Sequence, residues 1–228
     1  MSLGRPPLEE ILDSLQMAST LISVATLKAP YAVSCRPTAT SIFHAVVEGW
    51  CELQVEGAKA PVVLQAGDLA VLTSGAGHVV QDAPGRAARS IRTLPLATAP
   101  GSLPRVVYGG GGRSARVICG SFALRHHGAH QGLMRLLPPV WVVRGDEAPL
   151  ASWLDTSLAM LDGSVGRDDD AGRDTVRRMV DLVFVRALRT WLAAHDATGE
   201  GWLGGLRDDR IARAVALVHA RPAGDWTV

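Results

Sequence analysis

Cysteine is scarce: Cys35, Cys51 and Cys119 are the three in 228 residues. They are too few and too scattered for a disulfide framework, and an odd count leaves one unpaired. Metal ligation, thiol reactivity and plain burial remain open for them, with burial the ordinary fate of a free thiol. Charge of one sign is lacking too. The 23 Lys+Arg set against 22 Asp+Glu leave a formal net charge of +1, which excludes a large sequence-independent nucleic-acid surface built on clustered cations. No run approaches 18 apolar residues, and the N-terminal MSLGRPPLEEILDSLQ has no basic region leading into an apolar one. Neither a membrane span nor an export signal is expected, so the cytoplasm is the expected location and no membrane the expected partner. There is no G-x-S-x-G, no H-E-x-x-H and no carboxylate pair with recognisable spacing, which leaves hydrolase chemistry little support.

What is present is an ordinary globular composition, 47% apolar and 20% charged. At about 150 residues per domain, the length corresponds to one full domain with a smaller appendage. Leu8, Ile11, Leu12 and Leu15 fall at helical spacing with Glu9 and Glu10 early, which predicts a short amphipathic N-terminal helix. From about Ile22 to Phe122 the texture is short β-rich runs punctuated by turn residues: LISVATL, YAVSC, SIFHAVV, CELQVEG, PVVLQ, DLAVLT, HVVQD, RSIRTL and RVICGSFAL. That rhythm predicts an antiparallel sandwich or barrel. Glu48-Gly49 reads as a tight hairpin in which Val46 pairs with Cys51. The prolines and four consecutive glycines of residues 97–116 read as a mobile loop, with no GK[ST] to make it a phosphate cradle.

After about Leu133 the pattern turns helical. Leu150, Trp153, Leu154, Leu158 and Leu161 share one face. Val176, Met179, Val180, Val183, Phe184, Ala187, Leu188, Trp191 and Leu192 make a long amphipathic helix opposite Arg177, Arg178, Asp181 and Arg189. Leu182 and Val185 widen its apolar stripe, enough for a second surface that either another subunit or the rest of the chain would cover. A last helix runs from a cap at Asp208 or Asp209 through Ile211, Ala214, Val215 and Val218 to Pro222. Thr227 then stands where one more helix would begin, so the sequence reads as a piece of a longer protein.

Residues 43–80, FHAVVEGWCELQVEG…LQAGDLAVLTSGAGHVV, resemble the paired motifs of the cupin barrel. The second cupin motif, G-x5-P-x-G-x2-H, is met by Gly67, Gly75 and His78, with Thr73 in place of the proline. The first departs further: the usual H-x-H pair and downstream Glu are missing, and His44 lies two residues beyond the Glu position. The whole layout is similar to something narrower, the cupin-type sensor half of an AraC-family transcriptional regulator. FHAVVEG, AGDLAVLTSGAGH, VICGSF, LLPP, LVFVRALRTWL, GWLGGLRDDRIARAVALVHARP and the closing DWTV carry that likeness in order.

The resemblance implies a fold that is mainly β with α, a cupin-like antiparallel β-barrel followed by a helical subdomain. Residues 1–145 would be the sensor barrel with its N-terminal helix and 146–205 a helical dimerisation subdomain. Residues 206–228 would be a linker and the first helix of a truncated DNA-binding domain. It implies an effector-sensing, non-enzymatic module, a homodimer, that answers an unknown small-molecule or redox effector and reaches DNA only through a helix-turn-helix domain beyond this sequence. On the cupin layout His78 points into the barrel beside the strand of His44, and Cys119 crosses the same interior. With Cys51 or water as the fourth ligand, His44, His78 and Cys119 make a soft tetrahedral set suited to zinc. Singly, each would read as core. The alternative class is a metal-dependent cupin enzyme of dioxygenase or isomerase type, which needs an open coordination position. Cys35 stands apart: Arg36 beside it would favour a thiolate if the two approach. The cluster of His126, His127 and His130 reads as loop histidines, and Asp168, Asp169 and Asp170 as helix-capping charge.

Overall fold

The structure, a computed structural model, describes residues 17–97, 104–124 and 137–145, and beyond them a few separate positions between 178 and 189 together with Arg210. The chain divides into two compact units, Met17–Phe184 and a second made of Met1–Gln16 with Val185–Val228. The expected helices at 8–15, 150–161 and 208–218, the histidines at 126–130 and the acidic run at 168–170 fall outside the described residues, apart from Arg210, which is helical. The described positions of the long helix, Arg178, Asp181, Leu182, Phe184, Val185, Leu188 and Arg189, are all helical.

Twelve strands form two sheets. They are β1 (Met17–Lys28), β2 (Ala32–Cys35), β3 (Ser41–Glu48), β4 (Trp50–Val55), β5 (Val62–Gln65), β6 (Leu69–Leu72), β7 (His78–Gln81), β8 (Arg89–Ser90), β9 (Leu96–Ala97), β10 (Arg105–Gly109), β11 (Ser114–Leu124) and β12 (Val140–Val143). The seven-stranded sheet runs β12-β6-β3-β11-β1-β10-β9 and the five-stranded one β5-β4-β7-β2-β8. Two sheets closed over one core is the jelly-roll arrangement that cupins share. Pairing is antiparallel except for β1 with β10 and β2 with β8.

The core between the sheets gathers Leu27, Val33, Ile42, Val46, Cys51, Leu53, Leu64, Leu72, Val80 and Val117. The larger sheet is also covered on its other face. β3 is buried at Ile42, Phe43, His44, Ala45 and Val46 alike, the unbroken apolar texture expected of a strand packed on both sides. On that second face Phe122 packs on Phe43 (ring centroids 6.5 Å) and Phe184 (4.3 Å), and Phe184 meets Trp141 edge-on at 6.0 Å.

Four local expectations change. Glu48-Gly49 is no hairpin: β3 pairs with β6 and β11, whereas β4 pairs with β5 and β7, so the chain passes from one sheet to the other at Gly49. Gly49 adopts φ +73°, and a Cβ there would run into the Ser114 carbonyl, so only glycine fits the corner. The segment read as a mobile loop contains β10, whose RVVYG lies parallel to Val24–Lys28 of β1. Its β-branched pair, Val106 and Val107, outweighs the flanking glycines. VWVV, past the point where the pattern turned helical, is β12 and pairs with β6. RSIRTL yields two strand residues followed by a short 3-10 turn at Ile91–Thr93.

Candidate functional site

Two histidines, one from each sheet, meet inside the barrel. His44 lies in the middle of β3 and His78 opens β7, directly after Gly75 and Gly77. Gly75 has φ +64°, and a Cβ on it would strike the backbone carbonyl of Thr40. A glycine is therefore required to bring the chain into β7 with His78 turned inward. Thr73, at the position where the cupin motif has proline, donates from Oγ1 to the Pro138 carbonyl at 3.0 Å and accepts at its own carbonyl from Ser41 Oγ at 2.7 Å. These bonds hold the approach to the glycine turn against the start of β3 and against the segment that leads into β12.

The polar groups form a series. His78 Nδ1 stands 2.9 Å from the Ala76 carbonyl, His78 Nε2 2.8 Å from His44 Nε2, and His44 Nδ1 3.1 Å from Cys119 Sγ. A carbonyl can only accept, so His78 carries its proton on Nδ1 and its Nε2 accepts. His44 then donates from Nε2 and accepts at Nδ1 from the Cys119 thiol. Every member of the series is satisfied with both imidazoles neutral and the thiol protonated.

The electrostatics agree with that assignment. Burial, reinforced by His78, pushes His44 well below the ordinary histidine range. Burial also lowers His78, opposed by its hydrogen bond to Ala76. Burial drives the Cys119 thiol well up, with Cys35 and Cys51 adding to the effect. Cys51 is pushed up to about 12, by burial first and then by Asp68. Cys35 is pushed up to about 11 by burial. The expected activation of Cys35 by Arg36 is therefore corrected: in the desolvated strand end the thiol form is favoured.

His44, His78 and Cys119 thus come together, and Cys51 does not join them. It faces Leu64 across β4–β5 and packs in the apolar core. Its expected adjacency to His44 depended on a hairpin that does not form. Cys35 does lie beside them, directly opposite His78 on the β2–β7 ladder. Sequence reasoning missed that placement because it follows from strand register. As the side chains stand, no group of three or more His, Cys, Asp or Glu is arranged to hold a metal ion among the described residues; His44 turns opposite ring nitrogens to His78 and Cys119. The donor types are nevertheless those that suit zinc. Elsewhere, a groove of about 560 Å³ lies along Gly49, Trp50, Val63, Gln65 and Ala66.

Residues 7–193 match the family model described as cupin. The chain belongs to the cupin family. Two proteins named as candidate AraC-like transcription regulators are similar to this cupin over nearly all its length. The one from Streptomyces lividans is 28% identical over 222 residues, covering 97% of this chain and 71% of that protein. The one from Streptomyces antibioticus is 29% identical over 223 residues, with the same coverage of both chains. Among solved structures, ToxT from Vibrio cholerae with a bound unsaturated fatty acid is 10% identical over 92% of this chain and 66% of its own, with a TM-score of 0.42. The Escherichia coli protein YhaK is 9% identical over 59% of this cupin and 52% of its own chain, with a TM-score of 0.33. No helix among the described residues is long and apolar enough to cross a membrane.

Proposed function

We propose that the chain is the effector-sensing and dimerisation part of a cytoplasmic AraC-type transcriptional regulator, reaching DNA through a helix-turn-helix domain outside this sequence. The likeness of 97% of the chain to two AraC-like regulators carries the reading. Its sensing part is the cupin barrel, with a zinc ion as the expected occupant of the His44, His78 and Cys119 set. An effector changes regulation only by binding one arrangement of barrel and helices better than another. The helix surface that includes exposed Leu182 is the proposed subunit contact. The thiol-rich interior favours this reading over a cupin enzyme, because thiolate ligands close a metal site more often than they leave a position open.

The test joins residues 1–228 to a reporter DNA-binding domain that acts only as a dimer, alongside sedimentation of the chain alone. Expected are reporter occupancy and a concentration-dependent dimer. A strict monomer at high concentration, with a silent reporter, overturns the dimerisation reading. Turnover of a cupin-type substrate by the chain would replace the regulator with the enzyme.

A further inference from the structure

We propose that Cys35, His44, His78 and Cys119 together form a closed Cys2His2 site for one zinc ion that fastens the two sheets of the barrel to each other. The inference rests on the metal part of the preceding reading and differs from it in the fourth ligand, Cys35 in place of Cys51 or water.

Each sheet supplies a cross-strand His/Cys pair. In the seven-stranded sheet Cys119 is directly opposite His44; in the five-stranded sheet Cys35 is directly opposite His78. Residues directly opposite on an antiparallel ladder share a face, with Cβ atoms about 4.5–5.5 Å apart. His78 touches His44 across the interior at 2.8 Å, so the face Cys35 shares with it is the inner one. Strand register therefore sets four donors from four strands on the facing inner surfaces, two from each sheet. Side-chain turns, not backbone shifts, are what would draw them into the metal-holding group that they do not form as they stand. Cys51 is near enough to Cys119 to push its thiol up but is far from His78: the β4 residue opposite His78 is Val55, and four residues of strand put Cys51 about 13 Å from Val55 along β4.

Charge selects the same set. The surroundings include Val46, Leu72 and Val117, all fully buried. A divalent ion held by two imidazoles and one thiolate would leave a net positive charge in that interior, which is costly. A second thiolate brings the loaded site to neutrality. Uptake balances as follows: the Cys35 and Cys119 thiols each lose a proton to solvent, and the His44 proton passes from Nε2 to Nδ1, freeing Nε2 for the ion. Cys119 must turn about its single side-chain bond away from His44 Nδ1, a change between staggered wells.

The probe is cobalt(II), titrated into the full chain purified without a metal-affinity step and read by thiolate-to-cobalt charge-transfer absorption. Expected is one cobalt per chain, displaced by one zinc, with absorption falling by about half in Cys35→Ser and in Cys119→Ser and unchanged in Cys51→Ser. X-ray absorption at zinc in the unsubstituted chain, which does not depend on any variant folding, is expected to count two sulfur and two nitrogen ligands. One sulfur, or two with the loss falling on Cys51→Ser while Cys35→Ser keeps full absorption, overturns the Cys2His2 assignment and leaves the metal reading standing. A folded wild-type chain that takes up neither cobalt nor zinc overturns both.

Discussion

His44 and His78 stand tip to tip, Nε2 to Nε2 at 2.8 Å, and this contact bridges the two sheets through side chains that are almost wholly buried. With Cys119 on the far side of His44, the central imidazole satisfies two buried neighbours at once. His44→Ala removes both partners and leaves a void, so about 3 kcal/mol of stability should be lost. Cys119→Ala removes one weak thiol donor and should cost roughly 1 kcal/mol. Urea denaturation with a chelator present, so that metal binding does not enter, gives the ranking; equal losses would mean that His44 is ordinary filler.

Asp68 is the polar anchor between the β5–β6 turn and the end of β12. Its carboxylate accepts from the Gln65 N–H at 2.9 Å, the Gly145 N–H at 2.9 Å and Arg144 at 2.7 Å. Asp68→Ala leaves two backbone donors without their acceptor and should cost about 3 kcal/mol. Arg144→Ala should cost no more than about 1 kcal/mol, because its side chain is 40% exposed and the ion pair is screened by water. Thermal unfolding of the two variants should separate clearly, and a larger loss for Arg144→Ala would reverse the assignment of the anchor.

How far the sequence carried these conclusions differs from residue to residue. The short β runs, the glycine turn before His78 and the inward course of His44 were all legible, because alternation, turn chemistry and motif order are local properties. Pairing was not. SIFHAVV and WCELQV are separated only by Glu48-Gly49 and look like a hairpin, yet the neighbours that decide their sheets, β6, β7 and β11, begin more than 20 residues further along the chain. Cys35 was misjudged for the same reason. Its partner His78 is fixed by the register of two strands far apart in sequence, while the adjacent Arg36 offered a local explanation that burial overrides.

Gly49 and Gly57 separate two costs that look alike in sequence. Both have positive φ, +73° and +81°, but a Cβ at Gly57 meets open space, whereas at Gly49 it meets the Ser114 carbonyl. Gly57→Ala should therefore cost only the left-handed backbone penalty of about 1–2 kcal/mol. Gly49→Ala adds a clash at the corner between the sheets and should cost clearly more. Equal denaturation midpoints for the two variants would show that the corner yields freely.

Asp82 should give the barrel an acid-sensitive step. Burial raises its carboxyl, but the Tyr31 N–H and the hydrogen bond and charge of Arg86 outweigh that and hold it below the usual carboxylate range. The Tyr31 N–H lies 2.6 Å away, and the Arg86 guanidinium spans both carboxylate oxygens, its Nε at 2.6 Å and a terminal nitrogen at 2.8 Å. A folded-state value below that of the unfolded chain means the contribution is complete above about pH 4, the ordinary carboxylate value. It is lost as the pH falls through the lower folded value. The stability gap between wild type and Asp82→Asn should be flat from neutral pH to about pH 5 and close at lower pH; a gap that widens on acidification would contradict this sign.

The outer face of the larger sheet makes the last test. Phe122 is fully buried and its ring sits 4.3 Å from that of Phe184, the shortest of the aromatic contacts that cover β3, β11 and β12. Phe122→Ala should cost about 3–5 kcal/mol through lost burial and the cavity left behind. Phe184→Ala should cost a similar amount, because its own side chain is buried at the same place. Once one ring is gone, part of the other's contact surface is already lost, so the double variant should fall short of additivity by about 1 kcal/mol. Full additivity would mean that the two rings do not pack together in solution. The described helical position at Phe184 would then have no part in covering the barrel sheet, and the dual burial of β3 would need a different cover.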